Sequence, residues 1–460
     1  MNIILLQPAD VLFFRDGRPM AGSLAGHGAA WPMPHITNSA LHAALHRSGL
    51  DGHKHDQIRN GNRALKDARE FGSLVTAGPF PVYQPTPDAP GTWFFPRPLD
   101  LMDDTLQPAL LPTDSFDSTS SNLPDPLEYA VANRLPPSKN SAAKAWFSTA
   151  AYQRYLNGNN GCVDSPNACN DSDFSDAEAT IGIAIDPETG TTGQGEAAGK
   201  IYSPHYLRLR DDWRLGVLAR TREKNGDAGR RDLIPKLINE KDRLLVGGQQ
   251  RLCTATLLNG GEIPLPRRAT PGFNTHNGKY LVKWVLLSPA IWPEIEGGLP
   301  QRRKSTIARQ SHPGGWLPNW IDPEDSSVLL RVISEEQRHN RRGLNHQGVG
   351  YATDEGGALP IAAKLVAALV PKPIPVTGWA AVHPEGDRAR GGAKTTHLAV
   401  PAGAMYYFEA DTLEDAGKLA TALNWHGARD GKEVKNRRST LMGEKGFGLG
   451  VCGTWKFFGT

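Results

Sequence analysis

Apolar residues along this chain fall into short runs separated by long polar stretches rich in Pro and Gly. Residues 3–6 are Ile-Ile-Leu-Leu and predict a buried strand, and residues 11–14 extend the same layer beyond Pro8. Asp16-Gly17 then signals a turn. From Asn38 to Arg47 the apolar positions Ala40, Leu41, Ala44 and Leu45 follow helical spacing, with Thr37 or Asn38 as the N-cap. Strand, Gly-containing turn and helix open many α/β folds, the ferredoxin-like βαββαβ unit among them.

Residues 84–145 are rich in Pro, Asp, Ser and Asn, and residues 157–175 form a second polar stretch after an aromatic helix candidate at 146–155. Both read as insertions extending from a compact core. Residues 181–185 and 206–209 resume as strands, whereas the densely charged residues 221–243 read as a solvated arm or a linker. A second core begins near Leu244. Within it, residues 280–288 and 405–410 predict strands, and residues 361–369 and 413–425 predict helices, the latter capped by Asp411 or Thr412. Residues 451–458 close the chain as a strand. Spacing alone thus gives an α+β chain with two cores and no repeat at the residue level.

The 460-residue length allows two or three domains, or one large core with insertions. A hydrophobic share of 39%, with 49 Gly and 36 Pro, fits ordinary cores surrounded by many turns. The formal net charge is only +3, so any nucleic-acid site must be a local basic patch. Cys162, Cys169, Cys253 and Cys452 are too few and too scattered for a disulfide scaffold or a zinc knuckle, which points to a reduced, cytoplasmic setting. No secretory leader pattern opens the sequence, and no apolar run is long enough to span a membrane.

The densest candidate chemistry lies near the end, where Gly443, Gly446, Gly448 and Gly450 surround Lys445 and Phe447. Such a loop lets backbone amides approach a ligand, while a cation and a flat ring suit a phosphate chain carrying bases. A plain β-turn is the commoner explanation. The helix start near residue 37 can favour an anion, with His35, Asn38 and Ser39 adding hydrogen bonds. Arg15 and Arg18 bracket a turn and can fork onto phosphate, or simply pair with neighbouring carboxylates. Gly247-Gly248-Gln249-Gln250-Arg251 offers a small-residue bend followed by a cation. Of the basic runs, Arg388, Arg390 and Lys394 stand out because Gly391-Gly392 interrupt them. His42 and His46 have the i, i+4 spacing of metal ligands, but neither the intervening Glu nor a third ligand is present.

Motifs in a shared order link these features. They are residues 3–18, Pro32-Met33-Pro34-His35-Ile36-Thr37-Asn38-Ser39, Ile181-Gly182-Ile183-Ala184-Ile185-Asp186, and Val246 to Arg251. Leu286-Leu287-Ser288-Pro289-Ala290, Gly315-Trp316-Leu317-Pro318, residues 372–379, residues 400–409 and the Gly-rich loop complete the series. In this arrangement the chain resembles the RAMP superfamily of CRISPR proteins, and specifically the third subunit of the type III-B (Cmr) effector complex. Gln249 and Gln250 depart from the Gly-Gly-Glu-Arg-Arg signature of RAMP proteins by replacing its charged pair.

The resemblance implies an α+β fold of two ferredoxin-like (RRM-related) domains with long insertions, at residues 1–243 and 244–460. It implies a non-catalytic subunit that binds the 5′ tag of the guide RNA (crRNA) and docks on the large polymerase/cyclase subunit, beside neighbouring backbone RAMP subunits. Carried over to this sequence, the RNA contacts fall on Arg15, Arg18, His35, Asn38, Ser39, Gly247, Gly248, Arg251, Arg388, Lys394, Lys445, Gly446, Phe447 and Gly448. No catalytic residue, metal or cofactor is implied. The competing expectation is a metal-independent endoribonuclease that processes guide precursors, with His42, His46 or His27 as general base.

Overall fold

The computed structural model describes residues 1–15, 31–50, 71–87, 89–115, 124–134, 143–164, 166–183, 185–186, 188–192, 201–224, 229–258, 260–268, 272–297, 311–332, 359–380, 392–428 and 431–460. Strand outweighs helix, and two antiparallel sheets dominate.

The first sheet grows from β1 (Asn2–Pro8), whose apolar run is buried on both faces. Helix α1 (Pro34–Arg47) follows, then β2 (Val75–Tyr83), β3 (Thr92–Pro96) and β4 (Trp146–Ser148). Ser148 ends β4 and caps α2 (Thr149–Leu156), accepting a 3.2 Å bond from the Ala151 amide. The strands β5 (Ala168–Cys169) and β6 (Trp213–Arg220), helix α3 (Ile234–Glu240), and strands β7 (Arg243–Leu245) and β8 (Leu252–Leu258) complete it. The sheet order is β7-β8-β1-β6-β2-β3-β4-β5, with β1 paired antiparallel to both β6 and β8.

Two sequence expectations are corrected here. The charged stretch 221–243 is not a solvated arm, because Leu233, Ile234, Leu237 and Ile238 form a buried helical stripe on the first sheet. The expected division between residues 243 and 244 falls inside β7, and β8 pairs with β1 from Ile3 to Pro8. Hydrogen-bonded pairing therefore carries the first sheet through Leu258.

The second sheet comprises β9 (Asn274–His276), β10 (Lys279–Leu286), β11 (Ala363–Leu369), β12 (Met405–Ala410) and β13 (Gly450–Thr454), with α4 (Leu413–Leu423) packed on it. Its order is β9-β10-β12-β11, and β13 pairs with β10. Thr412 caps α4 by accepting from the Asp415 amide at 3.0 Å. The helix expected at 361–369 is instead β11. Ile361, Ala363 and Leu365 are buried while Ala362 and Lys364 are exposed, and this alternation of period two pairs with β12. Ala, Leu and Lys favour helix locally, but the ladder with β12 overrides that preference.

Alternation along the strands divides the interior into layers. Ile4 and Leu6 pack with α1 and α3, whereas Ile3 and Leu5 point the other way and meet residues of the second sheet. From that side, Leu281 and Val285 of β10 and Met405 and Tyr407 of β12 enter the same core, while Val282, Trp284, Tyr406 and Phe408 pack around α4. The molecule is thus layered helix, sheet, sheet, helix around a shared centre that also holds Tyr152, Tyr155 and Leu156 of α2.

Lys283 lies on the inward face of β10 with its side chain 4% exposed. Its Nζ is 3.1 Å from Oδ2 of Asp100, which is 1% exposed, and donates to Tyr155 Oη at 2.7 Å. Tyr155 Oη donates in turn to the Asp100 carboxylate at 2.8 Å. Burial pushes the Lys283 ammonium down, and Asp100 opposes that shift. Asp100 and Tyr155 belong to the segment between β2 and β6, so a charged triad joins that segment to the second sheet.

Candidate nucleic-acid interface

The Gly-rich loop is one 3₁₀ turn (Gly443–Lys445) that leads into β13. Gly446 has φ +101°, and a Cβ there would stand 3.0 Å from Ala77 Cα and 3.2 Å from Thr76 O of β2. Gly448 has φ +74°, and a Cβ there would collide with the Ser439 amide nitrogen. These two glycines therefore bring the loop against its own chain rather than against a ligand, contrary to the expected amide cradle. Phe447 is fully buried with Ile291, Val376 and Ala399. It offers no face to a base, and the expected stacking role is withdrawn in favour of packing. Lys445 is half-buried at the rim.

The start of α1 meets this loop. The helix begins at Pro34 with Met33 as N-cap, one turn earlier than the sequence suggests. Thr37 Oγ1 donates to Pro34 O at 3.2 Å, and Asn38 Nδ2 donates to Thr76 Oγ1 at 3.1 Å. Both are buried, so Asn38 ties the helix to β2 and is not displayed to a ligand, whereas Ser39 is exposed. His35 lies over Phe447, with ring centroids 6.1 Å apart and an interplanar angle of 21°.

His35 is the electrostatic centre of the region. Burial, aided by the charges of Lys445 and Lys394, drives its pKa down to about 4. Its Nδ1 is buried and has no hydrogen-bond partner. Lys394 is exposed and leads into the hairpin formed by Ile374–Val376 and His397–Ala399; its amide donates to Gly378 O at 2.7 Å. No acidic residue occupies the first turn of α1. Three residues from distant parts of the sequence therefore converge on a spot favourable to an anion.

The sign of the His35 shift has a measurable consequence. Its neutral ring contributes stability fully above about pH 6.5, and that contribution falls as pH drops toward 4. An imidazole NMR titration should place His35 near 4 in the free protein, and an anion bound beside it should move the midpoint upward. A free-protein midpoint near 6.5 would remove both the burial and the lysines as causes.

The second expected cluster is separate. Gly247 has φ +79°, and a Cβ there would approach Phe13 O at 2.5 Å; Gly248 donates its amide to the same oxygen at 2.9 Å. Arg251 lies 5.1 Å over the Tyr206 ring, pairs with Asp10 at 3.7 Å and donates to Gln249 Oε1 at 3.2 Å. Gly247, Gly248 and Arg251 thus fasten the β7–β8 turn to the chain leaving β1, a structural role. The φ values of Gln249 and Gln250 are +55° and +54°. Arg15 is exposed just beyond Phe14, while Arg18, Arg388 and His27 lie outside the described residues.

His42 and His46 meet one another edge-on with centroids 4.6 Å apart, and both meet Phe71 edge-on as well. Among the described residues, no group of three or more His, Cys, Asp or Glu is placed to hold a metal ion. Among those residues too, no helix is long and apolar enough to cross a membrane, and all four cysteines are free thiols.

Comparison with known proteins sets these features in a family. Residues 4–455 match the family model described as CRISPR-associated protein (Cas_Cmr3). Searching curated proteins finds no match. Similar solved structures include a type III-B Cmr-beta complex bound to cognate target RNA (12% identity, 88% of this chain and 86% of that chain, TM-score 0.31). A second is the same type of complex with cognate target RNA and AMPPnP (14% identity, 88% and 86%, TM-score 0.32). A third is the Csm3-Csm4 subcomplex of a type III-A CRISPR-Cas interference complex (9% identity, 88% and 92%, TM-score 0.32). With nearly its whole length matched, and with the dispersed motifs pointing the same way, the chain belongs to the Cas_Cmr3 family of CRISPR-associated proteins.

Proposed function

We propose that this protein is a non-catalytic subunit of a type III-B CRISPR ribonucleoprotein and grips the 5′ tag of the guide RNA at His35, Lys394 and Lys445. The observation that carries the reading is the buried, unpartnered Nδ1 of His35 set between two lysines at the positive end of α1. Two cations and a ring nitrogen suit a phosphate of single-stranded RNA. Docking on the large polymerase/cyclase subunit and contact with neighbouring backbone subunits belong to the same proposal, which the family match supports.

The proposed architecture is a pair of ferredoxin-like units. In chain order the strands β1, β2, β6 and β8 lie fourth-first-third-second in the first sheet, and β10, β11, β12 and β13 do so in the second. That arrangement supports the reading in both halves. Weighing against the endoribonuclease alternative are the edge-on contacts of His42 and His46 with Phe71 and with each other, which give both rings a packing role. Repeat RNA incubated with the purified chain should remain uncut.

The tag contacts make a direct prediction. A subunit that serves many guides reads constant RNA, through backbone and first-base contacts, and not the variable spacer. In reconstituted complexes, K394E/K445E should lower guide retention by roughly tenfold or more while leaving the melting curve unchanged. Altered tags should reproduce the loss and altered spacers should not. Equal loss with both classes of guide would refute tag recognition by this subunit.

A further inference from the structure

We infer that a second cationic cluster, Arg220, Arg222 and Arg437, continues the RNA track across the Gly-rich turn and takes further backbone phosphates of the same strand. The inference rests on the proposed RNA reading and adds a contact that the sequence motifs do not indicate. Its basis is position. Arg220 ends β6, directly opposite Val75 of β2, and Gly446 rests on the next two β2 residues, Thr76 and Ala77. The same turn carries Lys445, whose charge acts on His35, and meets Arg437, whose Cβ lies 3.5 Å from where a Cβ of Gly443 would stand.

The cluster sets four cations, Arg220, Arg222, Arg437 and Lys435, against the carboxylates of Glu433, Asp232 and Glu444, the last of which acts on Arg437. Glu433 alone serves three cations: Arg220 at 2.7 Å, Arg222 at 3.6 Å, and Lys435. Burial pushes its carboxyl up, but Lys435 and Arg220 outweigh burial and hold it at about 2. Asp232 is engaged by Asn2 at 2.7 Å and by the Thr221 amide at 3.0 Å. Arg437 donates to Val434 O at 3.4 Å and reaches Met1 Sδ at 4.0 Å. The Nε atoms of both Arg220 and Arg437 are buried without a hydrogen-bond partner. Beside them the half-exposed guanidinium of Arg222 is the fork that suits the bidentate geometry of phosphate, with Arg220 and Arg437 adding positive charge behind it. Continuity with the His35 cluster favours RNA over a partner protein's carboxylates.

The test is the salt dependence of binding between the full chain and a short single-stranded RNA carrying a guide's repeat-derived 5′ segment. Each phosphate contact removed should reduce the slope of log K against log salt by about 0.7. R222Q should therefore lower the slope by about 0.7 and R222Q/R437Q by about 1.4. Arg222 is half-exposed, so R222Q keeps the test decisive even where R437Q impairs folding. An unchanged slope for R222Q, beside a reduced slope for K394E/K445E, overturns this cluster and leaves the proposed function standing. Unchanged slopes for both variants overturn both. Loss of a protein subunit from R222Q complexes without a slope change assigns the cluster to a protein interface and equally overturns the RNA assignment.

Discussion

Asp100→Leu is expected to destabilise the protein by about 3–5 kcal/mol, with most of that loss recovered when Lys283→Met is added. Asp100 and Lys283 are almost wholly buried, and the pair is closed by Tyr155. In this core, removing the carboxylate leaves an ammonium with only a phenol oxygen as partner, and burial of an unmatched charge is far costlier than the pair is favourable. Replacing both groups by apolar ones removes the desolvation cost from each side. Leu, Met and Tyr neighbours already line this core through Leu281, Met405 and Tyr407. Denaturant midpoints of the two single variants and the double variant measure the coupling. If Asp100→Leu alone shifts stability by less than about 1 kcal/mol, the triad is not the connection described, since breaking such a pair should cost several times that.

Phe447→Ala should cost about 3–5 kcal/mol, whereas Phe447→Leu should cost less than about 1.5 kcal/mol. The ring is enclosed by Ile291, Val376 and Ala399 and supports the His35 imidazole. Truncation would open a cavity beneath the proposed RNA site, so guide retention should fall with stability in Phe447→Ala and persist in Phe447→Leu. Lys445 variants should show the reverse pattern, with retention lost and stability kept. Paired denaturation and retention measurements separate the two residues. A stable Phe447→Ala variant that still loses guide would restore base stacking to this ring.

Much of the fold is legible in the sequence where one interaction dominates locally. The β1 run, the β12 strand and the α4 helix with its Thr412 cap lie close to where hydrophobic spacing and capping put them. The misreadings share a cause. The segment 361–369 has helical composition and becomes a strand because β12 offers a ladder. The segment 221–243 has a charged exterior that hides the stripe Leu233, Ile234, Leu237 and Ile238. In the site, Lys394, Lys445 and His35 were readable as chemically apt residues, but not as neighbours, since they approach only in the tertiary structure. Phe447 reads from the sequence as an open ring because its glycine neighbours suggest openness. In the structure those glycines permit burial instead. Arg220 and Arg222 give no sequence signal beyond charge at the end of a strand, and only the register with β2 sets them beside the Gly-rich turn.

The core shared by the two sheets also constrains inheritance. Ile3, Leu5, Phe80 and Val82 on one side, and Leu281, Val285, Met405 and Val451 on the other, share one core, into which α2 also sets Tyr152 and Tyr155. Recombination that exchanged one half between distant relatives would therefore join two surfaces shaped for other partners, and an error of even a methylene is felt in so tight an interior. The halves must change together, so the lineage should record paired substitutions across this boundary rather than shuffled modules.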